Sequence, residues 1–301
     1  MISPVIRNRE GIEEFDVTWP WAQRVLPPGM TAVLRVRNEA RSLPWVLPRL
    51  LRSVDHVVLI DNCSDDGTAT VGAEVAMKND ASDRISIVEY PFEVSRCGPE
   101  HLETPADSVH SLTHFYNWSF SQVQTRYSLK WDGDMVLTPE GASMLRDLGW
   151  QISAVETVVL FQHHPLYIES PQVAYLDLKL RNVEPWIYPM GPESIYLKGF
   201  DWEIRSHPAE AERITMPPGL CFELKWLDTD EFAHWTSIEA FHPERSPRKV
   251  REYDVFTKLR AGLYAELEPD FLYRVEAPAG VHVIDHVAHR GLAEALAAVT
   301  R

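Results

Sequence analysis

Short apolar runs alternate with amphipathic segments after residue 30. The run TAVLRV predicts a strand, and the apolar residues from Leu43 to Val54 then recur every three or four positions, as on one face of a helix. HVVLID is a continuous apolar run of the kind found in fully buried parallel strands. In the polar loop NCSDDGT, Ser64 or Asp65 is the expected N-cap of the next helix. The pattern predicts strands at 31–36, 56–61 and 85–90, with helices between them, the second at 68–78.

The alternation continues beyond a long loop at 91–107. A helix is predicted at 108–124, and YSLKW predicts a strand at 127–131. Thr138 and Pro139 have the composition of a helix start, with threonine as N-cap and proline as the first helical residue. Further along, the pattern predicts a strand at 157–161, short strands at most over 162–232, a helix from Pro247 to about 259–262, and a strand or loop at VHVID (281–285) before a terminal helix.

Strands that alternate with helices are typical of a doubly wound α/β fold with a mostly parallel sheet. In such sheets, ligands bind beyond the carboxyl ends of the strands. Three polar clusters follow three of the predicted strands, at 37–39, 61–62 and 132–134. We therefore expect these clusters to converge on one crevice. The predicted organisation is a leader at 1–30, a nucleotide-binding half at 31–135, and an acceptor-binding half at 136–301 of the same domain.

Charge and composition exclude some partners. The 301 residues carry a net charge of −15, which argues against nucleic acid and against an anionic membrane surface. It does not argue against a small anionic ligand, because a metal ion can neutralise such a ligand locally. No apolar run approaches the roughly 20 residues of a membrane helix. Three cysteines give neither a disulfide framework nor a CxxC metal motif, so we expect a cytoplasmic protein with reduced thiols.

The stretch LKWDGDMVLT places two aspartates, Asp132 and Asp134, at the end of a predicted strand with Gly133 between them. Carboxylates suit hard divalent cations, and Mg²⁺ typically combines one or two of them with water and substrate phosphates. Mn²⁺ accepts the same ligands. In isolation the pair is equally compatible with a solvated acidic turn, and its position after the predicted strands favours a cation that bridges to a diphosphate.

Four motifs in the same order resemble those of GT-A fold glycosyltransferases of the family 2-like group. They cover residues 36–43 (an N-E-x-x-x-L segment), 59–68 (close to V-V-D-D-G-S-x-D-G-T), 116–119 (in place of R-N-x-G), and 132–134 (D-x-D). Two departures from the family pattern are Cys63 in place of glycine and Tyr116 in place of arginine. The motifs lie in a little over a third of the chain.

The resemblance implies a role for each matching position. Asp61 would contact the nucleobase, and Asp132 would face the ribose or the water shell of the metal. Asp134 would bind the divalent cation, Mn²⁺ or Mg²⁺. The remaining implied nucleotide-binding residues are Arg35, Arg37, Asn38, Glu39 and Asn117.

The second half of the chain offers a third metal ligand and a catalytic base. His234 matches a family histidine at the metal or diphosphate site, and the alternative is a packed or surface histidine. Glu203 or Asp201, flanked by aromatic residues that could desolvate a carboxylate, is the predicted base, and the alternative is a surface ion pair. Competitors for this role are Glu193 and Asp230, and the basic cluster Arg245, Arg248, Lys249 and Arg251 is either a solvated helix face or a segment that covers the diphosphate.

The sequence therefore predicts a metal-dependent, inverting glycosyltransferase. It would move a sugar from a nucleoside diphosphate donor to a hydroxyl acceptor, which could be a glycan, a lipid-linked molecule or a small molecule. One alternative is a sugar-nucleotide nucleotidyltransferase, but RVRNEARSLP lacks the glycines that such an enzyme uses to grip a triphosphate. A second alternative is a binding module that holds a nucleotide sugar or a glycan without turnover. A separate zinc site at His282, Asp285, His286 and His289 is disfavoured if VHVID is a strand.

Overall fold

The computed structural model describes residues 3–152, 156–179, 183–229, 232, 236–237, 247–267 and 271–299. The chain divides into two compact units. The first unit contains residues 1–133, 145–160 and 185–215, and the second contains 134–144, 161–184 and 216–301. This division differs from the predicted boundary at residue 135, because segments beyond that point return to the first unit.

The elements are numbered along the chain. The strands are β1 (Val5–Ile6), β2 (Val17–Thr18), β3 (Met30–Val36), β4 (His56–Asp61), β5 (Ile85–Glu89), β6 (Tyr127–Asp132), β7 (Met135–Leu137), β8 (Thr157–Gln162), β9 (Pro165–Ile168), β10 (Val173–Asp177), β11 (Val183–Pro189), β12 (Tyr196–Lys198), β13 (Glu203–Arg205), β14 (Glu212–Thr215), β15 (Cys221–Trp226) and β16 (Leu272–Glu276). The helices are α1 (Leu43–Leu50), α2 (Thr68–Lys78), α3 (Pro99–Glu103), α4 (Leu112–Ser121), α5 (Pro139–Gln151), α6 (Pro247–Arg260), α7 (Val283–His286) and α8 (Leu292–Val299).

The first unit is built around a seven-stranded sheet of order β14-β8-β11-β6-β3-β4-β5. Strands β6, β3, β4 and β5 run parallel to their neighbours, as do β14 and β8, while β11 is antiparallel to β6. Nearly every side chain of β3 is buried, as expected for a central strand covered on both faces. The predicted α/β class with a mainly parallel central sheet is confirmed.

The segment predicted as a leader is part of the core of the first unit. Val17 and Trp19 are fully buried, and Phe15 is 7% exposed. The Phe15 ring packs against Tyr90 and Trp118, with centroids 5.4 and 5.3 Å away. Burying such large rings stabilises the unit by about 1.5–3 kcal/mol per side chain. Residues 3–29 are therefore an integral part of the first unit.

The second unit contains a five-stranded sheet of order β16-β10-β9-β15-β7. Strand β15 is parallel to β9 and antiparallel to β7, and all six of its side chains are buried. Gly141 lies against the β15 end of this sheet, where an added Cβ would come within 2.2 Å of the Leu220 carbonyl oxygen. The residues 162–232, for which short strands at most were predicted, thus contribute the three central strands of this sheet.

Two helix starts differ from their predictions. The Asp66 side chain, not Ser64 or Asp65, accepts the Thr68 backbone N–H (2.9 Å) at the start of α2. VHVID is not a strand: His282 Nδ1 accepts the Ile284 N–H (3.2 Å), and helix α7 begins at Val283. The helical path continues through a π-helical turn at Val287–Gly291 into α8. Within the described ranges, none of the helices has both the length and the apolar character needed to cross a membrane.

Candidate functional site

Three neighbouring parallel strands of the first unit end at the same edge of its sheet. In the strand register, Arg35 of β3 lies beside Asp132 of β6, and Val36 lies beside Asp61 of β4. Arg35 Nη2 is 3.6 Å from Asp132 Oδ1. The Arg35 side chain is 5% exposed, whereas the Asp132 side chain is 38% exposed and faces solvent. The first two of the predicted polar clusters and the start of the third therefore converge, as ligand sites of open α/β sheets do.

Hydrogen bonds tie the loop after β3 to the loop after β4. Asn38 has a left-handed backbone (φ 59°), its N–H donates to Ser64 Oγ (2.9 Å), and its Oδ1 accepts the Asp65 N–H (2.9 Å). The Glu39 N–H donates to Thr68 Oγ1 (2.8 Å). We call the polar edge formed by residues 35–39, 61–66 and 132–133 the rim. The backbone N–H groups of Asn38 and Glu39 hold two of its loops together, so both residues have fixed positions in the rim.

The side chains of Arg37 and Asp61 differ in how readily they could bind a ligand. Arg37 makes a bidentate ion pair with Glu93, at 2.6 and 2.9 Å, which anchors it to the 91–107 loop and raises its pKa. The carboxylate of Asp61 is half-exposed, and its Oδ1 accepts the Ser64 N–H (3.1 Å). Asp61 is therefore the better placed of the two to receive a ligand.

Gly133 follows β6 where the rim is most crowded. An added Cβ would lie 2.7 Å from Val36 Cγ1 and 2.8 Å from Glu39 Cγ. Distances this short require a neighbour to move. The glycine is thus explained by close approach to the loop after β3, and not by an unusual backbone angle.

Where the family pattern has an arginine, this chain has Tyr116, and strand β3 supplies a cation, Arg35, beside the tyrosine ring. The Arg35 guanidinium carbon lies 3.5 Å from the centroid of the Tyr116 ring. Burial lowers the pKa of Arg35, the polar and acidic groups around it raise it, and the net pKa is above the usual value. A permanently charged group therefore lies beside Asp132, supplied by β3 where the family pattern would supply it from the helix.

A second cation on the same face was not predicted. Lys130 lies two residues before Asp132 on β6, so both side chains project from one face of the sheet. Its Nζ is 5.9 Å from the Tyr116 ring centroid and 5.3 Å from that of Trp186. Burial lowers the pKa of Lys130, the Asp132 carboxylate raises it, and the net pKa is raised. The alternation of side chains along LKWD was the signal that could have identified it.

The buried side-chain amide of Asn117 makes hydrogen bonds to the β12–β13 hairpin. Its Nδ2 donates to the Tyr196 carbonyl oxygen and its Oδ1 accepts the Tyr196 N–H, both at 2.8 Å. Tyr196 begins β12, which pairs with β13 so that Lys198 lies beside Glu203. Lys198 Nζ in turn donates to the carbonyl oxygens of Leu102 (2.7 Å) and Thr104 (2.8 Å). Asn117 therefore positions the hairpin, and its predicted contact with the nucleotide stays a prediction.

The hairpin brings Glu203, one of the two predicted bases, to the cations of the sheet. Its negative charge raises the pKa of Arg35 and of Lys130. The buried Glu203 Oε2 has no hydrogen-bond partner among the described residues. Burial lowers the pKa of the neighbouring His101, which the charge of Glu203 partly opposes. Asp201, the other predicted base, is half-buried, and its carbonyl oxygen accepts the Gly98 N–H (2.6 Å).

Asp134 belongs to the second unit and lies in a network of charged groups there. Lys225 Nζ is 2.8 Å from Asp134 Oδ2 and 2.7 Å from Glu223 Oε1. The Lys225 side chain is only 6% exposed. Desolvation raises the pKa of Glu223, the Lys225 and His163 charges lower it, and the net pKa is well below the usual value. Glu223 is therefore ionised at neutral pH.

The network extends to a group of residues that could hold a metal ion. His163, Glu223 and Glu252 are all buried, and each offers one ligand atom within 4.8 Å of the others. The Arg248 guanidinium reaches all three, with Nη1 3.9 Å from Glu223 Oε2, Nε 3.4 Å from Glu252 Oε1, and a short contact to His163 Nε2. Arg248 is thus a cation that contacts every member of this group, and Lys225 also pairs with Glu223. Arg251 also pairs internally, with Asp177 (2.7 Å), so these two members of the basic cluster are not a solvated face.

The other predicted site residues contribute no side chain to these two groups among the contacts that the structure describes. His234, Asp230 and Arg245 lie outside the described residues. Glu193 contributes its carbonyl oxygen to Ser206 Oγ (2.6 Å). On α7 and the turn after it, His289 Nδ1 is 2.8 Å from the Asp285 carbonyl oxygen, a local helix contact. The strand-end residues and Glu203 thus lie together in the first unit, and Asp134 belongs to the second unit.

Neither a protein-family model nor a curated protein matches the sequence. Solved structures of glycosyltransferases are similar to the chain. A mannosyltransferase from Pyrobaculum calidifontis, in complex with GDP-Man and Mn²⁺, matches 93% of this chain and 77% of its own, at 15% identity and a TM-score of 0.45.

Two further structures are similar over less of the chain. TarS 1–349 of S. aureus, in complex with UDP, matches over 79% of this chain and 67% of its own, at 14% identity and a TM-score of 0.38. The glucosyl-3-phosphoglycerate synthase of Mycobacterium tuberculosis, in complex with Mn²⁺, UDP-Glc and glycerol 3-phosphate, matches over 47% of this chain and 45% of its own, at 15% identity and a TM-score of 0.27. Because the scores and identities are low, the function proposed for this chain rests on its own residues.

Proposed function

We propose that the chain is a glycosyltransferase that binds a nucleoside diphosphate sugar at the strand ends of its first unit and transfers the sugar to a hydroxyl acceptor. The observation that supports this most directly is the convergence of Asp61, Arg35 and Asp132 at the carboxyl ends of three adjacent parallel strands. A nucleoside needs acceptors for the N–H groups of its base and for its ribose hydroxyls. Asp61 and Asp132, both partly exposed, offer such acceptors.

Glu203 is the proposed catalytic base. The hairpin places it beside Arg35 and Lys130, and its buried Oε2 has no hydrogen-bond partner among the described residues, so this oxygen is available to accept a proton from a substrate hydroxyl. The acceptor hydroxyl would lose its proton to Glu203 as its oxygen bonds to the anomeric carbon, while the bond from that carbon to the diphosphate oxygen breaks. The family resemblance implies attack from the face opposite the diphosphate, and hence inversion.

A divalent cation, Mn²⁺ or Mg²⁺, is part of the proposed donor site, where it would compete with a lysine of the chain. The carboxylates of Asp132 and Asp134 are ligands of the right kind, and His234 is the third predicted ligand. The Asp134 carboxylate already has the Lys225 ammonium 2.8 Å away, so a metal would share or displace that cation. When bound, a divalent cation would neutralise charge on the leaving diphosphate.

Calorimetric titration with a panel of nucleoside diphosphates, with and without Mn²⁺, tests the donor site. We expect one diphosphate to bind to the wild type, and the variants Asp61→Ala and Asp132→Ala to lose at least tenfold in affinity. Asp83→Ala changes an exposed aspartate remote from the rim and serves as the matched control. Asp134→Ala tests the metal, and we expect it to abolish the Mn²⁺ dependence. Binding that none of these variants changes would contradict the proposed site.

Turnover separates an enzyme from a binding module. Release of the nucleoside diphosphate from its sugar nucleotide would be followed across a panel of glycan, lipid-linked and small hydroxyl acceptors. We expect Glu203→Gln to bind the diphosphate as the wild type does and to lose transfer by about a hundredfold or more. If Asp201→Asn loses transfer and Glu203→Gln does not, the base is Asp201. If the wild type binds without turnover on every acceptor, the chain is a binding module.

A further inference from the structure

Two aromatic rings of α4 join three cations in the first unit. Arg35 and Lys130 both lie over the Tyr116 ring, at 3.5 and 5.9 Å from its centroid. Arg35 and Arg205 both lie over the Phe120 ring, at 5.7 and 4.2 Å. The carboxylates of Asp132 and Glu203 both act electrostatically on Arg35 and on Lys130. This group of cations lies in a protein whose net charge is −15.

The cations of this cluster are short of acceptors. Arg35 Nε and Nη1 are buried and have no hydrogen-bond partner in the described part of the chain. The one ion pair of this guanidinium with a described residue is the 3.6 Å contact with Asp132. For Lys130, the described residues provide aromatic faces and no hydrogen bond or ion pair. Buried donors without partners are costly, so a site of this kind is completed by a ligand or by water.

We propose that Arg35 and Lys130 form a subsite for an anionic group of the substrate, a carboxylate or a phosphate monoester, in addition to the donor diphosphate. A guanidinium offers a planar fork that fits either oxyanion, and an ammonium beside it offers a point charge. Tyr116 and Trp186 would confine the group between aromatic faces. Its source is a donor sugar or an acceptor that carries the anion, so this subsite rests on the proposed function for its biological meaning.

Ligand-observed NMR with two anionic probes, D-glucuronate and D-glucose 6-phosphate, tests the subsite, with neutral D-glucose as reference. We expect the anionic probes to bind to the wild type and D-glucose to bind at least tenfold more weakly. Lys130→Met should weaken the anionic probes by about tenfold, which one lost charge contact of about 1.4 kcal/mol would give. Lys130→Arg keeps the charge and should retain binding. Lys78→Met removes an exposed lysine of α2 and should have no effect.

The outcomes separate this subsite from the donor site. If the probes still bind at saturating nucleoside diphosphate, the subsite is distinct, and if the diphosphate displaces them, the proposed additional subsite is wrong. The proposal is also wrong if D-glucose binds as tightly as the anionic probes, or if Lys130→Met binds these probes as the wild type does. If Asp61→Ala loses diphosphate binding while Lys130→Met binds the probes as the wild type does, the results support the donor site and refute the subsite. Binding of the probes through Lys130 without any nucleotide binding would support the subsite and refute the proposed donor site.

The source of the anion can be decided with the same variants. A uronic acid nucleotide and a neutral hexose nucleotide with the same base would be titrated against the wild type and Lys130→Met. A loss confined to the uronic acid nucleotide places the anion on the donor. Equal affinities for both nucleotides, with transfer to a phosphorylated or carboxylated acceptor reduced in Lys130→Met, place it on the acceptor. If neither comparison depends on Lys130, the subsite has no role in the proposed reaction.

Discussion

The guanidinium of Arg35 stacks on the ring of Tyr116, 3.5 Å from its centroid, and this contact orients the cation that lies beside Asp132. The two residues come from different elements, β3 and α4, so the sheet and its covering helix build the rim together. The stack also connects the rim to Lys130 and to the hairpin that carries Glu203. Tyr116 is therefore the residue on which the arrangement of charges in the first unit depends most.

Tyr116→Leu is expected to weaken the rim. A desolvated cation–π contact contributes about 2 kcal/mol, and the smaller side chain also leaves space beneath Arg35. We expect a loss of about 2–4 kcal/mol in the free energy of unfolding and several-fold weaker diphosphate binding, measured by urea denaturation and calorimetry. Tyr116→Phe keeps the ring and should resemble the wild type in both. If the leucine and phenylalanine variants behave alike, the ring face is not what holds Arg35.

Asn117→Leu is expected to separate turnover from donor binding. The substitution leaves the N–H and carbonyl of Tyr196 buried without their partner, at a cost of about 1–3 kcal/mol for each group. The hairpin with Glu203 should then lose its position, so the transfer rate should fall while the affinity for the nucleoside diphosphate stays within about twofold. Single-turnover kinetics and calorimetry measure the two. A fall in diphosphate affinity would instead support the contact with the nucleotide that the sequence predicted.

Gly133→Ala is expected to destabilise the first unit. Its Cβ would clash with Val36 and Glu39, and forcing extra atoms into a packed site costs about 1–3 kcal/mol. Gly149→Ala places a methyl group in open space within α5 and should stabilise the protein by about 0.5–1 kcal/mol through helix propensity. Thermal unfolding of the two variants should therefore shift in opposite directions. A stable Gly133→Ala variant would show that the loop after β3 yields easily.

Glu223→Gln is expected to destabilise the second unit in a pH-dependent way. Breaking a buried ion pair on one side costs about 3–5 kcal/mol at neutral pH. The pKa of Glu223 in the folded protein is below its unfolded value, so its contribution is fully present above the unfolded pKa of roughly 4.3 and is lost as the pH falls through the folded pKa. The difference between variant and wild type should therefore be constant from pH 5 to 7 and shrink below about pH 4.

Denaturant unfolding across this pH range, with Glu294→Gln on the exposed face of α8 as control, measures the effect. The control should follow the wild type at every pH. A difference between Glu223→Gln and the wild type that grows as the pH falls would contradict the depressed pKa and the ion pair with Lys225.

Local patterns predicted the elements whose signals lie within a few neighbouring residues. Helix α2 has the predicted bounds, β4 is the run HVVLID, and α5 begins at Pro139. The prediction for VHVID was wrong: the buried residues Val283, Ile284 and, just beyond it, Val287 have the i, i+1, i+4 spacing of one helix face, which five residues are too few to reveal. The imidazole of His282 caps the N-terminus of this helix by accepting the Ile284 N–H, and a pattern of hydrophobic residues does not indicate such a cap.

The sequence by itself determined the α/β class, the order of β3, α1, β4, α2, β5, α4, β6, α5 and β8, and the placing of Asp61 and Asp132 at strand ends, because each depends on hydrophobic periodicity and chain order. It did not predict the short elements α3 and β7. Only the tertiary structure decided that Lys130 joins Arg35 on one ring, that Asn117 holds the hairpin of Glu203, and that Lys225 pairs with Asp134. The last two of these contacts join residues 79 and 91 positions apart. Such pairings follow from how whole sheets and helices pack, which no local window of sequence contains.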